Sequence, residues 1–302
     1  MNTERLSAVR RKIDALDSVP TIPAIVQPLA KLLQMPTEDV PLDKVIELVS
    51  YDSTIAAQCL RMANSPLFGR RNVETVRSAV VALGLKRIQS TLLACTLNNI
   101  IPADKWVLDA TTFWRHSMGC GLVSLRLAKL IGYADPEKAY LAGLVHDLGI
   151  LVNTLTFPEE FRQCLQEARE RQMALHPLEQ ERLGFTHGQS GKLLAERWHF
   201  SPDMLAVIEY HHNFAEGPSA QSLLPLVNLS DLLCRVCGLG YGYYEAMRVN
   251  LGQEAAWAAL VEHYPALGKM DLARFTLDID GAMGEIAATV DAVFGVHEPT
   301  PA

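Results

Sequence analysis

The stretch LAGLVHDLGIL, residues 141–151, sets His146 and Asp147 into a run otherwise made only of apolar residues and glycine. On a helical projection, about 100° per residue, Leu141, Leu144, Val145, Leu148, Leu151 and Val152 share one arc, a core-facing stripe. His146 and Asp147 point away from that stripe, but their own side carries Ala142, Gly143, Gly149 and Ile150. A helix with no wet face is a buried helix. A buried acid must be paired, hydrogen-bonded or bound to a metal. The rest of the chain has to supply the partner.

Reading outward, helical periodicity recurs almost everywhere and period-two alternation is nearly absent, which predicts an all-α protein. Helices are expected over 3–16, 23–34, 42–50, 53–64, 75–82, 85–100, 109–131, 136–155, 158–173, 177–183, 188–198, 202–212, 219–237, 253–263 and 271–294. Asp135-Pro136 and Ser201-Pro202 are the clearest starts, each a capping residue followed by a proline in the first turn. Breaks near 102–104 and in the glycine-rich GLGYGYYE at 238–245 suggest an N-terminal helical part (1–104), a core (105–240) and a C-terminal helical extension (241–302).

The composition narrows the function. A chain of 302 residues, 49% hydrophobic and 20% charged, can bury a large core, and a net charge of −7 argues against a nucleic-acid partner. No apolar run reaches the ~18 residues of a membrane span and the N-terminus has no signal-peptide core, so a cytoplasmic protein is expected. Six cysteines in apolar helical contexts read as reduced, buried thiols, the lone Cys234-Arg-Val-Cys237 included.

Partners for His146 and Asp147 emerge among the nine histidines. His116 lies in TFWRHSMGCGLVSLRLAKL, His187 begins HGQSGKLLAERW, His211 and His212 end PDMLAVIEYHH, and Asp231 sits in the apolar LLPLVNLSDLLCRV. Each is an imidazole or carboxylate offered from an apolar or small-residue helix. Any one of them alone reads as an ordinary core or surface side chain. Together the seven are the ligand types of borderline transition metals, and one carboxylate can bridge two ions. His176, His199, His263 and His297 stand beside charged or loop residues and read as surface. Trp114 and Arg115 could meet a ligand, although an indole on a helix face more often packs in the core. Glu209, three residues before His212, is either an acceptor that orients an imidazole or a solvated helix residue.

The ordered pattern H…HD…H…HH…D runs with separations of 30 from His116 to His146, 40 from Asp147 to His187, 24 from His187 to His211 and 19 from His212 to Asp231. Around it stand VPTIPAIVQPLAKLL (19–33), VSYDSTIAAQCLRMANSPLFG (49–69), SAVVALGLKRIQSTLLA (78–94), FWRHS (113–117), YLAGLVHDLGIL (140–151), LGFTHGQSGKLLAERW (183–198) and IEYHH (208–212). Over roughly residues 18–240 the chain resembles the HD superfamily of metal-dependent phosphohydrolases, and more specifically the HDOD family of bacterial signalling proteins. The resemblance implies a helical N-terminal subdomain packed on an HD-type core. It also implies one ion on His116, His146, Asp147 and Asp231, and a second on Asp147, His187, His211 and His212.

Departures from the active HD-GYP relatives bear on catalysis. Those relatives read H-D-x-G-K, with a lysine that meets phosphate, where this chain has Ile150. They follow the paired histidines with a glutamate and a G-Y-P loop, where this chain reads HHNFAEGP with Asn213 next. Thr112 stands where a glutamate would help hold a third ion. An apolar side chain in place of a cation removes stabilisation of transition-state charge. The expectation is a regulatory protein with one or two transition ions, Fe or Mn first, with Zn or Ni able to take the site. It would act by binding a signalling partner, a kinase or a cyclic-dinucleotide enzyme, or a nucleotide or cyclic dinucleotide. The alternative is a metal-dependent phosphohydrolase acting on such a nucleotide.

Overall fold

A computed structural model describes residues 3–16, 35, 39–51, 53–68, 72–98, 105–218, 222–241 and 249–295. Among them there are α-helices and short 3-10 turns and no strand, an all-α fold. The N-terminal helices are α1 (Thr3–Leu16), α2 (Leu42–Tyr51), α3 (Ser53–Ala63), α4 (Val76–Leu83) and α5 (Leu85–Asn98). The next group is α6 (Ala110–Ile131), α7 (Pro136–Val145), α8 (Leu148–Thr156), α9 (Pro158–Arg171), α10 (Leu175–Arg182), α11 (His187–Arg197), α12 (Pro202–Tyr210) and α13 (Leu223–Val236). Two more follow, α14 (Ala255–His263) and α15 (Leu272–Phe294). The helix expected over 23–34 lies outside the described residues.

The long helix α6 is the axis, with α7, α13 and α15 packed against it. Its start is set by Asp109, whose carboxylate accepts from Thr112 N at 2.7 Å and from the Thr112 hydroxyl at 2.8 Å. Its middle carries small residues because α7 lies close: a Cβ on Gly143 of α7 would sit 2.6 Å from Cys120 O. Asp135 caps α7 by accepting from Lys138 N, as its position before a proline predicts. Ser201 precedes α12 without capping it; its hydroxyl donates to Asp203 instead.

One expected helix is two. The apolar stretch 136–155 breaks at His146 and Asp147, between α7 and α8, because Asp147 takes φ −98° and ψ 19° rather than helical angles. The apolar periodicity runs straight through the break, so only the backbone at Asp147 reveals it. By length and composition 136–156 could cross a membrane, yet 89% of its apolar window is packed inside the protein. Beyond the break, α8 lies on α11 with almost no spacing, since a Cβ on Gly149 would fall 1.7 Å from His187 O. On the N-terminal side, Arg87 of α5 pairs with Glu137 of α7 and packs over Phe68. At the other end, α15 meets both parts: Asp291 pairs with Arg115 of α6 at 2.6 Å, and Thr289 donates to Ser65 after α3 at 3.1 Å.

Candidate metal centre

The break at His146 and Asp147 turns the aspartate inward, into a chamber walled by α6, α7, α8, α11, α12 and α13. All seven residues singled out in the sequence meet there. Asp147 Oδ2 lies 3.1 Å from His146 Nε2 and 3.7 Å from His116 Nε2. Asp147 Oδ1 lies 3.2 Å from His187 Nε2 and 3.1 Å from His211 Nε2. Asp231 Oδ1 is 3.2 Å from His116 Nε2, and Asp231 Oδ2 is 3.8 Å from His212 Nδ1. The donor atoms fall into two groups. One is His116, His146 and Asp231; the other is Asp147, His187, His211 and His212. One carboxylate thus presents one oxygen to each half.

The outer ring nitrogens explain why the inner ones converge. His116 Nδ1 lies 2.6 Å from Leu239 O, His146 Nδ1 2.7 Å from Gly143 O, and His211 Nδ1 3.0 Å from Ile208 O. His187 Nδ1 lies 2.6 Å from Glu179 Oε2, which also accepts from the His187 backbone N–H at 2.9 Å. A carbonyl or carboxylate can only accept, so each Nδ1 carries its hydrogen and each Nε2 is left to face the chamber. Four imidazoles oriented by acceptors outside the chamber are the arrangement that metal-ligating histidines use. His116 Nε2, His146 Nε2 and Asp147 Oδ1 are buried and lie in no hydrogen bond of good geometry, and His187 Nε2 faces His211 Nε2 at 3.2 Å. Ring nitrogens and carboxylate oxygens converging this closely in a buried space fit a cation. Nitrogen and oxygen donors of this kind suit Fe, Mn, Zn or Ni.

Charge is organised to match. Burial opposes ionisation of both aspartates, yet His146, His187 and His211 hold Asp147 well below the usual carboxylate range, and Arg235 and His116 do the same for Asp231. Arg235 Nη2 reaches Asp231 Oδ2 at 2.8 Å. Burial works against a charge on His187, but Glu179 and Asp147 raise it to about 10; Asp147 likewise raises His146 well above its ordinary value. Burial lowers His211, and burial with the neighbouring His211 and His187 lowers His212 further. The chamber therefore pairs two carboxylates with protons that a cation can displace.

Three side chains at the site escape the sequence reading. Glu179, fully buried, takes the orienting role considered for Glu209, whose carboxylate instead pairs with Lys192 at 2.6 Å. Tyr241 donates its hydroxyl to Asp147 Oδ2 at 2.6 Å, and its ring packs 4.4 Å from that of His116. His176, expected on the surface, stacks on His212 at 4.7 Å, and burial with nearby His187 and His211 lowers it to about 4. His199 and His263 are exposed as expected, and His297 lies outside the described residues. Trp114 is core, and Arg115 is taken up by Asp291. Four of the thiols are buried, but Cys237 is exposed because it lies past the last turn of α13.

The HDOD domain profile matches residues 19–214. The chain belongs to the HDOD family. It is 26% identical over 217 residues to an uncharacterized protein of Treponema pallidum (strain Nichols), a stretch covering 71% of this chain but only 41% of that relative. An HDOD domain protein of unknown function from Geobacter sulfurreducens superposes with a TM-score of 0.78 at 27% identity, covering 98% of this chain and 100% of that one. A candidate signal transduction protein from Marinobacter aquaeolei VT8 gives 0.72 at 20% identity, over 97% of this chain and 65% of that one. A candidate phosphohydrolase from Shewanella amazonensis SB2B gives 0.67 at 22%, over 95% and 98%. The last two share its fold.

In this HDOD protein the three departures from the HD-GYP pattern have structural counterparts. Ile150 is fully buried on α8, so its position is apolar core. Asn213 is exposed at the start of the 3-10 turn Phe214–Glu216. The Thr112 hydroxyl is engaged by Asp109 in the cap of α6.

Proposed function

We propose that this HDOD protein is a non-catalytic regulatory protein whose chamber holds one or two transition ions, Fe or Mn first. His116, His146 and Asp231 would hold one ion and His187, His211 and His212 the other, with Asp147 between them. A bound ion would supply Lewis acidity and, in an open site, an activated water. The chain's own residues favour holding over turnover. The observation that carries the reading is closure: His116 and His146 are 0% exposed, Asp231, His187 and His211 1%, and Asp147 2%. Structural metal sites are closed, whereas catalytic ones keep a position open to substrate. Ile150 removes the cation that would meet a phosphate. Ion binding would then stabilise one arrangement of the helices, and that arrangement would be read by a cytoplasmic partner, a signalling protein or a nucleotide. Membership of a family that includes signalling proteins supports this.

The second reading, a metal-dependent phosphohydrolase, is favoured by the complete donor set and by His212, whose side chain is 17% exposed at the edge of the chamber. The two separate in an activity panel of cyclic di-GMP, other cyclic dinucleotides, nucleotides and generic phosphodiesters, run with Fe(II) or Mn(II). No turnover is expected, with or without tight binding of one compound. Turnover that disappears in both His146→Ala and Asp147→Ala would establish the hydrolase.

A further inference from the structure

The residues that follow α13 are part of the chamber. Gly238, at φ +80°, reverses the chain, with its N–H on Arg235 O and the Leu239 N–H on Cys234 O at 2.9 Å. That turn lays residues 238–241 back along α6. Leu239 packs so closely there that a Cβ on Gly119 would meet Leu239 Cδ1 at 2.8 Å. From this strap come two polar contacts into the site, one to a histidine of the first half and one to the carboxylate between the halves. Leu239 O accepts from His116 Nδ1 at 2.6 Å, and the Tyr241 hydroxyl donates to Asp147 Oδ2 at 2.6 Å. Leu239 and Tyr241 are themselves 4% and 3% exposed, and the Tyr241 ring stacks on Phe113 at 6.3 Å and 9°.

We infer that residues 238–241 are a strap coupled to ion binding, with Tyr241 the positioning residue for the bridging carboxylate. This rests on the metal reading above and adds to it a route out of the chamber. An undocked strap leaves His116 free to rotate and Asp147 without its phenol. A docked strap fixes both ring and carboxylate in the orientation that a cation needs. Each Asp147 oxygen has two lone pairs, so Oδ2 can accept from Tyr241 and still face the first half of the chamber. Linkage is reciprocal: whatever factor docking adds to ion affinity, the ion adds to docking. The strap lies outside the set of ligands, so ion occupancy is felt beyond the cage.

The test uses the full-length protein without a histidine tag, stripped by chelator and titrated with Mn(II). Tyr241→Phe keeps the ring and removes only the hydroxyl. Loss of a partner behind a metal ligand is expected to weaken Mn(II) binding by about 10-fold or more and to alter the electron paramagnetic resonance spectrum of the bound ion. A structural role confined to ring packing would leave both unchanged. In wild type, amide hydrogen exchange over 239–241 is expected to slow by a similar factor, about 10-fold, when Mn(II) is added. That second reading stands even if the variant folds poorly. Affinity within twofold of wild type in Tyr241→Phe, or strap exchange indifferent to the ion, overturns the coupling while leaving the metal reading intact. A wild-type protein that takes up no Mn(II) overturns both.

Discussion

The two halves of the chamber are built from the same imidazoles but held differently. In the first, His116 and His146 are fully buried and their outer nitrogens are held by neutral main-chain carbonyls, Leu239 O and Gly143 O. In the second, His187 is held by the Glu179 carboxylate, and His212 stands 17% exposed beside His176. A main-chain carbonyl orients a ring without adding charge. A carboxylate also adds charge, which raises the basicity of the imidazole and makes cation uptake compete with a proton. The first half is thus sealed and held by neutral groups, while the second carries the Glu179 charge behind His187 and opens at His212.

Gly149→Ala strikes both halves hardest. The added methyl would fall on the His187 backbone, so α8 and α11 must part, and both halves are expected to lose affinity together with about 3 kcal/mol of stability. Thermal unfolding alongside metal uptake measures this, and a variant of wild-type stability would refute the close approach. Next in size is a pair of ligand deletions. His146→Ala is expected to empty the sealed half and His212→Ala the other, each keeping about one equivalent of the two as counted by elemental analysis. Loss of both ions in either variant would mean that the halves do not act separately.

Glu179→Gln sharpens the contrast. It keeps the shape and removes the charge behind His187, so ion affinity in the second half is expected to fall about 10-fold. Calorimetric titration in buffers of different protonation enthalpy would also show fewer protons released per ion, because His187 is no longer held at about 10.

The smallest effect is on stability against pH in the metal-free protein. His176 is lowered to about 4 and His211 and His212 are lowered as well, from an ordinary 6.5. Between about 6.5 and 4 the unfolded chain takes protons that the folded chain refuses, so stability falls as pH falls through that window. His187 works in the other direction. Its folded form keeps a proton up to about 10, so its contribution is present below 6.5 and is lost as pH rises toward 10. His176→Gln should flatten the acid limb only, in denaturant titrations across pH. An unchanged limb would return His176 to solvent.

Much of the site was legible because buried charge is conspicuous in sequence. His146 and Asp147 lie in a stretch with no wet face, and His116 and Asp231 in helices rich in apolar or small residues, where an ionisable group demands a partner. Glu179 was hidden for the opposite reason. It stands in HPLEQERLGF, where every neighbour suggests solvent, and only the fold lays that turn of α10 over His187. His176, three residues earlier, is concealed by the same company. Tyr241 is one of three tyrosines in GLGYGYYE, a segment that reads as a seam between parts, and nothing in that pattern says that its hydroxyl reaches Asp147. The break at Asp147 left no trace in the periodicity, since α7 and α8 both continue the apolar stripe. Local patterns report burial; they do not report which distant segment completes a site.

On the function proposed above, this closed chamber holds transition metal through Asp147. The direct measurement is elemental analysis of untagged protein, as purified and after reconstitution with Fe(II) or Mn(II), beside Asp147→Ala. Metal near or above one equivalent in wild type is expected, falling sharply in the variant, because one substitution removes an oxygen from each half. Wild type that stays metal-free after reconstitution, or a variant that keeps its full complement, would contradict it.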